Sequence, residues 1–216
     1  MSKRRVAILI SGRGTNMVSL VEAARVPDFP ADIVLVISNR PGAAGVERAR
    51  ELGLKTTVID HKTFPSREAF DDAVEAALVA DGIELVCQAG FMRIQSDSFA
   101  ARWIGRQLNI HPSLLPLFKG LHPHQQALDA GVCISGCTVH FVTPELDAGP
   151  IVAQAAVPVL KSDTAATLAA RILVAEHQLY PHALGLVASG RAVLDSDRVR
   201  LPDNVNQAGS LLSPAP

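Results

Sequence analysis

The chain has 216 residues, with 20 Lys+Arg against 21 Asp+Glu, a formal net charge of −1, and 48% hydrophobic but only 4% aromatic residues. That composition excludes a disordered chain, a collagen-like repeat and a coiled coil, and it calls for a core built from Ala, Val, Leu and Ile. Balanced charge argues against a dedicated nucleic-acid or membrane-surface binder, because neutralising phosphates takes a basic surplus.

Lys3, Arg4 and Arg5 followed by the apolar run 6–10 imitate a signal peptide only faintly. The run is too short and leads into Gly12-Arg13-Gly14 instead of a small-residue cleavage site, so it reads as a first buried strand. Apolar runs at 33–37, 57–59 and 83–89 read as further strands, with amphipathic helices at 16–25, 44–52 and 66–80 between them. Continuous apolar strands alternating with helices predict an α/β fold whose mostly parallel sheet is covered by helices on both faces. A helix over 97–106 precedes a strand at 107–111, and 122–130 reads as another short helix. The pattern then changes. Runs 134–142 and 151–160 are separated only by a loop, which predicts antiparallel neighbours. A long helix follows, with Asp163 or Thr164 as N-cap, and Pro181 should kink or end it. Runs 191–194 and 198–201 read as a hairpin. Residues 1–201 are expected to form one domain, and 202–216, rich in Asn, Gly, Ser and Pro, a frayed tail.

Three cysteines, Cys87, Cys133 and Cys137, are too few and odd in number for a disulfide framework. Each lies in an apolar run, so reduced, buried thiols are expected. The longest uncharged stretches, 131–144 and 148–160, fall short of the roughly 18 residues a membrane span takes. A cytoplasmic location follows from these features.

Ser11-Gly12-Arg13-Gly14-Thr15-Asn16 lies where the first strand gives way to the first helix. Met17 stands where G-x-G-x-x-G requires its third glycine. The second strand ends in Ser38-Asn39-Arg40, which offers no carboxylate to a ribose hydroxyl, so a dinucleotide such as NAD is disfavoured. A phosphate monoester, held by the amides of Gly14, Thr15 and Asn16 and by the Thr15 hydroxyl, fits better.

The strand at 107–111 carries the most chemical information. Residues i and i+2 share a strand face about 6–7 Å apart, so Asn109 and His111 face one way and Leu108 and Ile110 the other. Two such polar side chains are costly unless they are paired or used. Pro112 ends the strand and places His111 at its carboxyl end, where open α/β sheets carry their sites. A carboxamide donor beside an imidazole suits oxyanion stabilisation with proton transfer.

Other polar residues stay open at this level. His140, alternating with Thr138 on its strand, suits either the same cluster or a structural role. Cys133, Cys137 and His140 invite a metal, but Cys137 and His140 are three apart and should point to opposite strand faces, so no metal site is expected. His122 and His124 flank Pro123 and need not point at anything. Asp147 in Glu145-Leu146-Asp147-Ala148-Gly149-Pro150 suits a turn or a carboxylate that raises the basicity of an imidazole. Glu176 and His177 read most simply as a solvated pair, and Arg67 with Glu68 as a surface ion pair worth little.

Taken together, the segments 10–16, 89–94, 108–116, 120–122, 138–142 and 146–150 and the pair Glu176-His177 closely resemble the phosphoribosylglycinamide formyltransferase family, in family order and over most of residues 5–195. The resemblance implies a Rossmann-like formyltransferase fold with an antiparallel C-terminal portion. It implies transfer of the formyl group of 10-formyltetrahydrofolate, a co-substrate, to the amine of glycinamide ribonucleotide, with no metal and no nicotinamide. Asn109, His111 and Asp147 match the family's catalytic trio. Gly14, Thr15 and Asn16 match its phosphate loop, and Glu176 a contact to the same substrate. Met92, Arg93, Ile94 and Gln95 match the folate-lining segment, with Arg67 and Asn109 also on the folate side. Departures are Pro123 between two histidines, Gln95 at a commonly apolar position and Cys137 where Thr is frequent.

The trio by itself leaves the acceptor open. Formyltetrahydrofolate deformylase uses water and methionyl-tRNA formyltransferase an aminoacyl-tRNA. The phosphate loop, the first strand near residue 5 and the short stretch beyond residue 200 favour the ribonucleotide. Small-molecule substrates, no nucleic acid, no membrane and a monomer or homodimer are therefore expected. A dinucleotide-binding oxidoreductase or a non-catalytic nucleotide-binding module are the alternatives outside the class.

Overall fold

The computed structural model describes residues 3–202 and residue 213. Most of the expected tail, 203–212 and 214–216, lies outside the described residues. Strands β1 (Arg4–Ile10), β2 (Ala31–Ser38), β3 (Thr56–Val58), β4 (Leu85–Gln88), β5 (Gln107–His111), β6 (Ile134–Phe141) and β7 (Ile151–Pro158) form one sheet in the order β3-β2-β1-β4-β5-β6-β7. The first five strands are parallel, and β6 and β7 are antiparallel to their neighbours. Strands β8 (Val193–Asp195) and β9 (Arg198–Arg200) form the expected hairpin.

Alternation along β1 shows why the runs are apolar throughout. Val6, Ile8 and Ile10 join one buried cluster, with Met17 and Leu20 of α1 (Thr15–Ala24), Ala49 of α2 (Ala44–Glu51) and Ile172 and Leu184 of α6 (Ala165–Ala188). Ala7 and Leu9 join another, with Phe70, Val74 and Leu78 of α3 (Arg67–Ala80) and Phe99 of α4 (Asp97–Arg102). A parallel sheet sealed on both faces leaves its strands no polar side. Each fully buried Leu or Ile contributes about 1.5–3 kcal/mol relative to an exposed one.

Local side chains start the helices where the spacing predicts. Ser66 accepts from the Ala69 amide at 3.1 Å, and Thr164 forms a reciprocal cap with Thr167. Asp163 is therefore not the cap; its carboxylate instead receives the Arg171 guanidinium at 2.7 and 2.8 Å.

Two expectations fail, and a third, that Pro181 kinks or ends α6, is narrowed. Helix α4 stops at Arg102, short of 106, because Gly105 takes a left-handed φ of 70°. Pro181 does not end α6, which continues to Ala188. The turns beyond it bury Ala183, Leu184, Leu186 and Val187, and that burial exceeds the cost of about 3 kcal/mol for an interior proline. Cys133 is exposed, lying in the loop before β6, whereas Cys87 and Cys137 are buried. Burial pushes the thiols of Cys87 and Cys137 up to about 12, so neither serves as a nucleophile.

Tyr180 of α6 is fully buried and donates to the carbonyls of Gln88 and Leu108 at 2.9 and 3.1 Å. The long helix thereby ties the carboxyl end of β4 to the start of β5. No helix among the described residues is long and apolar enough to cross a membrane.

Candidate active site

Strand β5 delivers Asn109 and His111 to one side at the carboxyl end of the sheet. Antiparallel β6 runs beside it in a register that sets His140 opposite Asn109 and Thr138 opposite His111. The loop from β6 to β7 then brings in Asp147, whose φ of 49° is left-handed. Gly149 closes that loop so tightly on strand β6 that any Cβ there would collide with the Phe141 carbonyl. The Phe141 amide meanwhile donates to the Pro150 carbonyl at 2.9 Å. A loop pinned at both ends holds a strained residue in place, the usual arrangement where a side chain must be aimed.

Four polar groups converge there. Asp147 Oδ2 accepts from the Gly120 amide at 2.9 Å and lies 3.4 Å from His111 Nδ1. Its other oxygen is 3.8 Å from His140 Nε2. His111 Nε2 donates to the Phe118 carbonyl at 2.9 Å. Both ring nitrogens of His111 thus face oxygen atoms.

His140, left open by the sequence, belongs to this cluster. Its Nδ1 meets the Phe141 carbonyl at 2.9 Å, so Nδ1 carries the hydrogen and Nε2 is the acceptor. Asn109 Nδ2 donates one hydrogen to that Nε2 at 3.3 Å, and the second meets no acceptor among the described residues. Burial holds the His140 pKa below its ordinary value, outweighing the pull of Asp147, so the ring stays neutral. His124 also approaches the site. Burial lowers its pKa, and the neighbouring His111 lowers it further.

This gives a pH expectation. The unfolded His140 ring gains a proton below about pH 6.5, while the folded ring resists it, so stability falls as pH falls through that value. His140→Gln keeps an acceptor for Asn109 and removes the titration. Its Tm should therefore drop less than the wild-type Tm between pH 7.5 and 5.5; equal drops would sink the assignment.

The glycine loop follows β1, which β4 separates from β5 in the sheet. Gly14 is the N-cap of α1 with φ 71°, no side chain caps that helix, and its first turn holds no acid. Free amides there present partial positive charge to an anion. Asn16 donates to Glu176 Oε2 at 2.6 Å across 160 residues of sequence, and its own Oδ1 is buried with no partner among the described residues. Glu176 is 7% exposed, not half of a solvated pair, and burial raises its carboxyl pKa. The tertiary fold, placing α6 against α1, is the reason.

Segment 92–95 crosses between the two loops. The Met92 amide donates to Ser11 Oγ at 2.8 Å, tying the segment to the end of β1. The Ser96 amide donates to buried Asp71 of α3 at 2.6 Å. Met92 and Ile94 are large apolar side chains, 63% and 55% exposed. The Arg93 guanidinium lies over the Phe70 ring, 5.3 Å from its centroid. Arg67 opens α3 at the surface and makes no ion pair with Glu68 among the described residues. Gln95 turns inward onto Gln88 and Gln107, a cluster that the strand pattern of β5 did not reveal.

The chain is similar to several known proteins. A family model described as formyl transferase matches residues 4–184. Phosphoribosylglycinamide formyltransferase of Escherichia coli (strain K12) is 42% identical over 86% of this chain and 88% of its own length. Trifunctional purine biosynthetic protein adenosine-3 of Bos taurus is 52% identical over 87% of this chain, which spans only 19% of that longer protein. Among solved structures, glycinamide ribonucleotide transformylase 1 from Symbiobacterium toebii superposes with a TM-score of 0.90 at 48% identity, covering 93% and 95% of the two chains. Phosphoribosylglycinamide formyltransferase from Brucella melitensis gives 0.85 at 51%, covering 98% and 100%. The fold is the Rossmann-like one of these enzymes.

Proposed function

Because the chain belongs to the formyl transferase family, we propose that it transfers the formyl group of 10-formyltetrahydrofolate to the amine of N1-(5-phospho-D-ribosyl)glycinamide, a step of purine (IMP) biosynthesis. The observation that carries this reading is the meeting of Asn109, His111, His140 and Asp147 at the end of β5, beside an uncapped glycine-loop helix. The first group suits acyl transfer and the second a phosphate.

The amine attacks the formyl carbon, forming a C–N bond and a tetrahedral centre with a developing oxyanion. Asn109 donates its second amide hydrogen to that oxygen, with His111 beside it. Asp147 holds the imidazole and relays, through water, the proton that the attacking amine loses. The proton ends on the folate nitrogen as its C–N bond breaks, so atoms and charge balance. Gly14, Thr15 and Asn16 hold the ribonucleotide phosphate, and Glu176 orients Asn16 and meets the same substrate. Met92, Arg93, Ile94 and Gln95 line the folate, with Arg67 at its outer end.

The reading calls for neither metal nor nicotinamide, in keeping with Met17 and Asn39 at the positions a dinucleotide motif reserves for Gly and an acid. Its partners are small molecules, and unpaired thiols suit the cytoplasm. An acceptor comparison tests it: 10-formyltetrahydrofolate is offered with the ribonucleotide, with water alone, or with methionyl-tRNA. Formyl transfer is expected only in the first arm. Formate release at the same rate without ribonucleotide would falsify the proposal.

A further inference from the structure

Residues 118–122 lead into helix α5 (Pro123–Asp129) and supply two backbone groups to the site, the Phe118 carbonyl and the Gly120 amide. Phe118, Gly120 and His122 all take left-handed φ angles, of 56°, 76° and 58°. Glycine does so freely, but the two residues that carry side chains are strained there. Such a loop keeps a single conformation only where its surroundings hold it.

Gln126 of α5 holds it. Its Nε2 donates to the Lys119 carbonyl at 3.1 Å and to the Leu121 carbonyl at 2.8 Å. Both partners can only accept, so the amide has one admissible orientation. The Lys119 carbonyl belongs to the same peptide unit as the Gly120 amide. That unit is planar and trans, so its carbonyl and its N–H point opposite ways. Gln126 on one edge therefore aims the N–H on the other edge at Asp147 Oδ2, 2.9 Å away. Hydrogen bonds linked in this way also polarise one another. The Phe118 carbonyl, 2.9 Å from His111 Nε2, lies one residue before the pinned unit. One side chain thus governs the backbone partners of both His111 and Asp147.

The segment nearer β5 is anchored independently. Thr138 Oγ1 donates to the Ser113 carbonyl at 2.7 Å and accepts from the Leu115 amide at 3.0 Å. Gln154 donates to the Leu115 carbonyl at 2.9 Å. Loss of Gln126 should therefore release residues 118–122 and leave the rest of the crossing in place.

We propose that Gln126 is a positioning residue for the reaction, holding this loop so that Gly120 and Phe118 fix the Asp147 carboxylate and the His111 imidazole against each other. The inference rests on the roles given to those two residues under the reading above.

Gln126→Met, which removes both donors at similar length, and the isosteric Gln126→Glu, which sets an acceptor against both carbonyls, test it. Each should lower kcat roughly 10–10²-fold, the scale of a misplacement of about 1 Å, with either KM changed by less than about threefold. In the Asp147→Asn background, Gln126→Met should cost less than about threefold, because the group it aims is already lost. Side-chain ¹⁵N resonances of His111, read without turnover, should move in Gln126→Met. A folded Gln126→Met with kcat within about twofold of wild type would overturn the proposal. So would the same loss of kcat repeated in the Asp147→Asn background, the additivity of a merely structural role. Wild type inactive with 10-formyltetrahydrofolate, but with His111 resonances that respond to Gln126→Met, would instead sink the reading of the reaction, so the two failures are distinguishable.

Discussion

Asn109→Ala is expected to lower kcat roughly 10²–10³-fold, the cost of one lost oxyanion donor, with KM for both substrates changed by less than about threefold. The carboxamide has two hydrogens on Nδ2. One is committed to His140 Nε2 at 3.3 Å, and that bond orients the other. His140 can accept only while neutral, and burial keeps it so. The oxyanion exists only as the tetrahedral centre forms, so its donor contributes to the barrier far more than to ground-state binding. Asn109→Asp should be at least as damaging, since it sets an acceptor toward both His140 and the oxyanion. A variant whose defect appears in KM alone would mean that Asn109 merely shapes the pocket.

Asp147→Asn is expected to lower kcat about 10²–10⁴-fold, the range of a lost general acid–base partner. The carboxylate accepts from the Gly120 amide and faces both His111 and His140. An amide keeps the shape but loses the charge and the capacity to carry a proton. If its nitrogen took the position of Oδ2, it would also set a donor against the Gly120 N–H. Asp147 is 9% exposed, so little solvent is at hand to substitute for the missing charge. Phosphate-substrate affinity, set at the separate glycine loop, should move by less than about threefold. Measuring kcat together with the ribonucleotide KM distinguishes the two. A parallel rise in KM would mean that the loop through Asp147 chiefly closes on the ribonucleotide.

Much of this architecture was legible in the residues. The run ending at Pro112 placed His111 at a strand end, and β5 spans Gln107–His111 as expected. Asn109 and His111 share a face because strand periodicity is two wherever a strand forms. The glycine loop was placed correctly at a βα junction because Gly14 answers a local need, a positive φ at a helix start. Such features depend on a residue and its near neighbours.

What could not be read were partners far along the chain. His140 joins Asn109 only through the β5–β6 register, 31 residues apart, and Asn16 meets Glu176 across 160. A lone polar residue on an apolar face looks the same whether structural or functional until its partner is known. Glu176 illustrates the error: its neighbour His177 suggested solvent, and the packing of α6 against α1 buried it. The amide cluster of Gln88, Gln95 and Gln107 was hidden for the same reason, as its members come from two strands and a loop.

The sequence by itself determined the alternating elements, the parallel-to-antiparallel change, the ends of most helices and the side of β5 that carries Asn109 and His111. Periodicity, caps and proline act within a few residues, and they act wherever the chain goes. The tertiary structure alone decided which polar groups share a site, which nitrogen of His140 bears its proton, and that Glu176 is buried. Ionisation and hydrogen-bond direction depend on desolvation and on atoms brought from distant segments, and neither exists until the sheet has closed its register and the helices have covered it.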